Sequence, residues 1–161
     1  MQSKRITSID ATQGPVRFRK IAIRFEVRDG QCSHGDGDWS DCANDRERSE
    51  LMGPVYSGGP HWYAYSIYIP ENHPNIWPTT TTLGQFYQSK KGPVFMFQRR
   101  SPHGYGGLWV NHIDAGGPAN IIDEPDFKGK WHDIVIKAIW TNGKHGEFVV
   151  WVNGVEKYSY N

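Results

Sequence analysis

Apolar and polar residues alternate with a period of two along most of this chain, and turn-forming residues interrupt the alternation at short intervals. Over 21–27 (IAIRFEV), Ile21, Ile23, Phe25 and Val27 share one face, while Arg24, Glu26 and the following Arg28 share the other. The segments 45–51 (DRERSEL), 62–70 (WYAYSIYIP), 80–88 (TTTLGQFYQ), 93–100 (PVFMFQRR), 107–112 (GLWVNH), 131–140 (WHDIVIKAIW) and 146–154 (GEFVVWVNG) also read as strands. Asn153-Gly154 predicts a tight hairpin turn before a last segment, VEKYSY. Gly/Pro clusters at 58–60, 103–107 and 116–118 read as loops. No segment carries a 3.6-residue period, and at most one short helical turn fits, over 120–127. Repeats, low-complexity tracts and linkers are absent, so the pattern predicts one domain over 1–161, an antiparallel β-sandwich of eight or nine strands.

Several predicted strands carry an unusually polar face. Arg24, Glu26 and Arg28 are followed by Arg46, Arg48 and Glu50, then by Gln85 and Tyr87, then by Gln98 or Arg99. For any single strand a solvated outer face explains this. Several together point to a jelly roll of the concanavalin-like kind, with a concave polar sheet that holds a polar polymer.

Composition narrows the class. Aromatic residues make up 14% of the 161 residues, with Gly 18 and Pro 10, which excludes a coiled coil, a helical bundle, collagen and wholesale disorder. A formal charge of +1 gives no overall field favouring nucleic acid or an anionic membrane. No apolar run approaches the ~18 residues of a membrane span. The first twenty residues lack an apolar h-region, so no signal peptide is visible. Trp39 and Trp77 offer faces on which sugar rings stack, although either serves equally as a packing residue.

Two cysteines, Cys32 and Cys42, bracket the loop CSHGDGDWSDC. A disulfide staple is the simplest reading and favours an oxidising, extracellular setting. Two reduced thiols, or a metal site, are the alternatives. Asp36, Asp38 and Asp41 have a spacing suited to calcium but lack the closing bidentate Glu, so a solvated loop is the plainer reading and no cofactor is required. His61 and His132 adjoin tryptophans at strand starts and read as structural. His34, His73, His103 and His145 lie in loops.

NDRERSEL (44–51), HWYAYSIYIP (61–70), TLGQFYQ (82–88), PVFMFQ (93–98), GKWHDIVIKAIW (129–140) and GEFVVWVNGVEKY (146–158), in this order, resemble the polysaccharide lyases of the glucuronan-lyase and heparin-lyase-I-like group. The resemblance runs from about residue 20 to the end and implies a β-jelly roll. It also implies β-elimination at a uronic acid within an acidic polysaccharide, glucuronan- or alginate-like. Removing the weakly acidic C5 proton builds negative charge on the adjoining carboxylate, which aimed donors must neutralise. A base takes that proton and an acid protonates the departing O4. Carried over residue by residue, Arg48 and Gln85 are the carboxylate neutralisers, with Glu50 orienting Arg48. Asn111 and His112 are expected to line the groove, as are Arg24, Arg28, Arg46, Gln98 and Arg99.

The sequence departs from the family pattern twice. Where the family has a His two residues after the Gln, this chain has Tyr87, which can serve as base or acid if a nearby Arg lowers its pKa. The family also continues into a further strand bearing a catalytic Tyr, whereas this sequence ends at Tyr160-Asn161, leaving Tyr158 or Tyr160 to substitute. A sheet without that strand has an open edge through which chains could self-associate. The competing expectation is a non-catalytic carbohydrate-binding jelly roll on a virion or cell surface. A hydrolase would need paired carboxylates, for which Glu26 and Glu50 are the candidates.

Overall fold

The computed structural model describes residues 6–30, 32, 40–56, 58–74, 76, 78–99, 106–115, 117–141 and 145–161. The chain divides into two compact units, Met1–Tyr56 and Ser57–Asn161.

In the first unit, β1 (Ile6–Asp10) and β2 (Ile21–Phe25) pair antiparallel as a two-stranded sheet, from Ile6 opposite Phe25 to Asp10 opposite Ile21. The alternation of 21–27 does make a strand, but with a single neighbour, and Ile21, Ile23, Phe25 and Val27 remain 50–61% exposed. The expected strand over 45–51 does not form. A short 3-10 helix, Cys42–Asn44, ends at Asp45 in the left-handed conformation (φ 53°), and residues 46–56 carry no regular structure. Charge pairing governs this stretch. The Arg48 guanidinium donates to both oxygens of the buried Asp41 carboxylate, at 3.0 and 2.8 Å, folding the chain back on itself. The disulfide between Cys32 and Cys42 is formed.

The second unit is an antiparallel β-sandwich. Its strands are β3 (Gly59–Tyr68), β4 (Thr81–Gln88), β5 (Gly92–Arg99), β6 (Leu108–His112), β7 (Gly117–Ile122), β8 (Trp131–Trp140), β9 (Glu147–Val152) and β10 (Val155–Tyr160). One four-stranded sheet runs β10-β9-β8-β3 and the other β4-β5-β6-β7. Seven strands coincide with sequence-predicted segments. The exception is β7, whose sequence reads as loop and helical turn because Gly117-Pro118 opens it. The helical turn is α1 (Glu124–Phe127), entered through Pro125.

Period-two alternation builds the core directly. On β8, His132, Ile134, Ile136 and Ala138 are 0–3% exposed, while the residues between them face outward. Phe148, Val150 and Val152 of β9 meet Phe95 and Phe97 of β5 and Leu108 and Val110 of β6. Phe95 and Phe148 stack with ring centroids 3.7 Å apart, joining the two sheets. Full burial of each such side chain stabilises by about 1.5–3 kcal/mol. The β9–β10 hairpin turns at Asn153 (φ 51°) and Gly154 (φ 81°), the left-handed pair that a two-residue turn requires.

Candidate functional site

Strand register places one continuous polar face on the β4-β5-β6-β7 sheet, on the side away from the core. In one row Thr82, Gln98, Trp109 and Asn120 stand opposite one another. In the next row stand Gln85, Met96, Asn111 and Pro118. The Asn111 amide donates to Gln98 Oε1 at 3.2 Å, and Gln98 Nε2 donates to Thr82 Oγ1 at 3.4 Å. Gln98 is itself buried, so it orients Asn111 and Thr82 instead of presenting its own amide to solvent. Beside them, Trp109 Nε1 donates to the Gly106 carbonyl at 2.9 Å, which fixes the indole. Phe86 points into the core, and Gln85, opposite Met96, lies on the outer side. A register shift follows Phe86, so alternation breaks there, and Tyr87, opposite Pro93 at the end of β4, is 66% exposed.

Of the residues expected to line a groove, this face brings together Gln85, Gln98 and Asn111, with the exposed Tyr87 at the end of β4. Sequence reasoning missed Trp109, Thr82 and Asn120. The signal was available in part, because Trp109 lies two residues before Asn111 on the same strand. Recognising it needed the β5–β6 register, which pairs Trp109 with Gln98.

Arg99 departs from expectation. It shares the core side of β5 with Phe95 and Phe97 and is 2% exposed. Its guanidinium donates to Glu124 Oε1 (3.0 Å), the Pro74 carbonyl (2.6 Å) and His73 Nδ1 (2.7 Å). Glu124 also accepts the Gly107 amide, so it ties the end of β5 to the start of β6. Gly107 (φ 87°) has to be glycine, since a Cβ would lie 2.1 Å from the Ile122 carbonyl oxygen. Between Gln98 and Arg99, only Gln98 belongs to the polar face.

His112 follows Asn111 and therefore faces the other way, into the sandwich. It stacks on Phe95 (centroids 4.3 Å apart) and meets the Tyr160 ring edge-on at 4.4 Å. Its Nδ1 is buried with no hydrogen-bond partner, and burial holds the imidazole pKa below its ordinary value, against a weaker opposing pull from Asp114. Tyr158 is also on the core side, within reach of Phe95 and Phe148. Burial, helped by Tyr160, raises its phenol pKa. His112 and Tyr158 thus belong to an aromatic cluster inside the sandwich, on the opposite side of the sheet from Gln85 and Asn111.

Arg24, Arg28, Arg46, Arg48 and Glu50 belong to the first unit. Glu26 accepts from both Arg24, at 2.6 Å, and Arg28. Arg48 pairs with Asp41 and, at 3.3 Å, with Glu50. Asp41 raises the Arg48 pKa most, over the opposing effect of burial, with Glu50 adding to it. Both carboxylates suggested for hydrolysis, Glu26 and Glu50, are therefore engaged with neighbouring arginines. Asp36, Asp38, Trp39, Trp77, His34 and His103 lie outside the described residues. Among the described residues no group of three or more His, Cys, Asp or Glu side chains could hold a metal ion. His61 Nε2 sits 2.7 Å from the Gly58 carbonyl, and His132 is buried beside Phe127.

What the polar face offers chemically is amide donors, hydroxyls and aromatic surface in fixed positions, with no charged side chain in either row. Such a face suits a polyhydroxylated chain. No curated protein and no solved structure matches this chain. The family model described as polysaccharide lyase matches residues 2–161. Through that match over nearly its whole length, the chain belongs to the polysaccharide lyase family.

Proposed function

We propose that this chain cleaves a uronic-acid-containing polysaccharide, glucuronan- or alginate-like, by β-elimination, and that the substrate lies along the polar face of the β4-β5-β6-β7 sheet. The observation that carries the reading is the outward Gln85 set beside the hydrogen-bonded Asn111–Gln98–Thr82 group, with the exposed Tyr87 two residues on at the end of the same strand. Gln85 and Asn111 supply N–H donors to the uronate carboxylate, where charge develops as the C5 proton leaves. Tyr87 is the proton-transfer group for C5 and O4. The C5–H electrons become the C4=C5 double bond, the C4–O4 bond breaks, and O4 leaves with a proton. Trp109 offers an aromatic surface to a pyranose face.

The expected product, a 4,5-unsaturated uronate at the new non-reducing end, absorbs in the ultraviolet. Incubation with a panel of polyuronates should generate that absorbance, and Gln85→Ala and Tyr87→Phe should each lower the rate about 100-fold or more. Near wild-type rates in both variants would remove this face from the chemistry.

A second reading, non-catalytic carbohydrate binding, is favoured by the absence of any cation in the two rows of the face. Polyuronate binding without ultraviolet product would select it. In either case the disulfide supports an extracellular setting.

A further inference from the structure

The opposite side of the sandwich carries a different kind of surface. On the outer face of the β10-β9-β8-β3 sheet, Trp62 of β3 is 64% exposed. Trp151 of β9 braces it, with ring centroids 5.7 Å apart and planes within 23°. Farther along the same face Tyr68 and Trp131 stand opposite each other, their centroids 5.4 Å apart. Trp62 and Tyr68 are six residues apart on one strand, or roughly 20 Å at about 3.3 Å per residue. Between the two pairs, Ser66 Oγ donates to Asp133 Oδ1 at 2.6 Å.

Leaving an indole this exposed forfeits much of its burial energy. The core does not use Trp62, and Trp151 holds it in a near-parallel stack that leaves a broad apolar surface in water. A pyranose ring has the matching shape, with an apolar C–H face and a rim of hydroxyls. Two aromatic pairs separated by polar groups fit a chain several sugars long better than a single sugar.

Charge selects which chain. Lys137 is engaged by Glu147 at 2.8 and 2.9 Å. Asp133 and Glu156 lie on the same face, Glu156 directly opposite Trp151. Among the described residues that register places on this face, Lys137 stands against three carboxylates, with the exposed Lys157 at the register shift beside Glu156. The balance is acidic, which disfavours a polyuronate and offers acceptors to neutral hydroxyls.

We propose that this outer face is a second carbohydrate-binding surface, separate from the polar face of the other sheet, and that it takes an uncharged polysaccharide strand lying along β3 and β8. It would tether the protein to a neutral polymer while the other face engages the substrate.

The test uses the full chain and isothermal titration with soluble hexamers of β-1,4-glucan, β-1,3-glucan and β-1,4-mannan, with hexaglucuronate as the charged comparison. At least one neutral hexamer should bind. Trp62→Ala should weaken that binding tenfold or more and Trp131→Ala less, while Trp62→Phe retains part of it. Circular dichroism and the unfolding midpoint report whether each variant remains folded. Hexaglucuronate binding and lyase rate should not change in Trp62→Ala. Absence of binding to all three neutral hexamers overturns the proposal. So does neutral binding that Trp62→Ala and Trp131→Ala leave intact, or hexaglucuronate binding that falls as steeply as neutral binding. Failure of lyase activity alone overturns the catalytic reading and leaves this one standing, because the two use different faces and different readouts.

Discussion

Strands β2 and β8 alternate equally well in sequence, yet they end in opposite circumstances. On β8 the inward residues His132, Ile134, Ile136 and Ala138 are 0–3% exposed. On β2 the corresponding Ile21, Ile23 and Phe25 are 50–61% exposed. The difference lies in the partners. β8 is flanked by β3 and β9 and faced by a second sheet, whereas β2 has β1 alone. Period-two patterning specifies that a strand forms and which side is apolar. Burial depends on what packs against that side, which is a property of the rest of the chain.

The sharpest way to break this comparison is to truncate one aromatic in each unit. Phe148→Ala removes a ring that stacks on Phe95 and packs against Phe86 and Trp140. Its loss should cost about 3–5 kcal/mol in denaturant unfolding. Phe25→Ala should cost less than about 1 kcal/mol, because half of its surface is already in water. Comparable losses would mean that the apolar face of β2 is part of a packed core.

The ion pairs extend the contrast. The Arg99 side chain is 3% exposed and the Arg48 side chain 35%. Glu124→Ala strands a buried guanidinium and frees the Gly107 amide, so about 3 kcal/mol should be lost. Arg48→Ala also strands a buried carboxylate, Asp41, but removing a side chain that is 35% exposed lets water in to replace it, so the cost should be smaller, about 1–2 kcal/mol. A reversed order, read from urea midpoints, would overturn the structural assignment of Arg99.

These contrasts mark what the sequence made legible. Seven of the sandwich strands, the Asn153-Gly154 turn, the disulfide and three residues of the polar face followed from local pattern, because each depends on neighbours close in sequence. The positions of Arg99 and His112 did not. Gln98 and Arg99 are adjacent polar residues, and alternation sends them to opposite sides. Only the β5–β6 register, and a carboxylate on α1 twenty-five residues away, determine that Arg99 is the one buried. The charged residues of 24–28 and 48–50 show a feature of a related kind. Arg24 and Arg28 both donate to Glu26, and Arg48 donates to Glu50, each at two-residue spacing.

Next in size is the disulfide, which closes a loop between positions ten apart in the first unit. Replacing both Cys32 and Cys42 by Ser should cost about 2–3 kcal/mol in the chain-entropy account. Because the sandwich does not contain the bridge, hydrogen exchange should quicken in 6–56 and stay unchanged in β8 and β9. Faster exchange across β8 would show that the two units unfold together.

The smallest expected effect is on pH dependence, and it too separates the units, since His73 and His112 both belong to the sandwich. Burial lowers both pKa values from the ordinary 6.5. The unfolded chain therefore binds more protons than the native state just below that value, and stability falls as pH drops through it. His73 adds a geometric reason, since its Nδ1 lies 2.7 Å from the Arg99 guanidinium, which disfavours a positive charge on the ring. The unfolding midpoint of the sandwich should therefore decline between about pH 7 and 5. His73→Gln with His112→Phe should flatten that decline, because an amide oxygen can accept from Arg99 without titrating and a phenyl ring can stack on Phe95 without a buried nitrogen. An unchanged slope in the double variant would assign the titration to other groups and leave the two imidazoles as packing residues only.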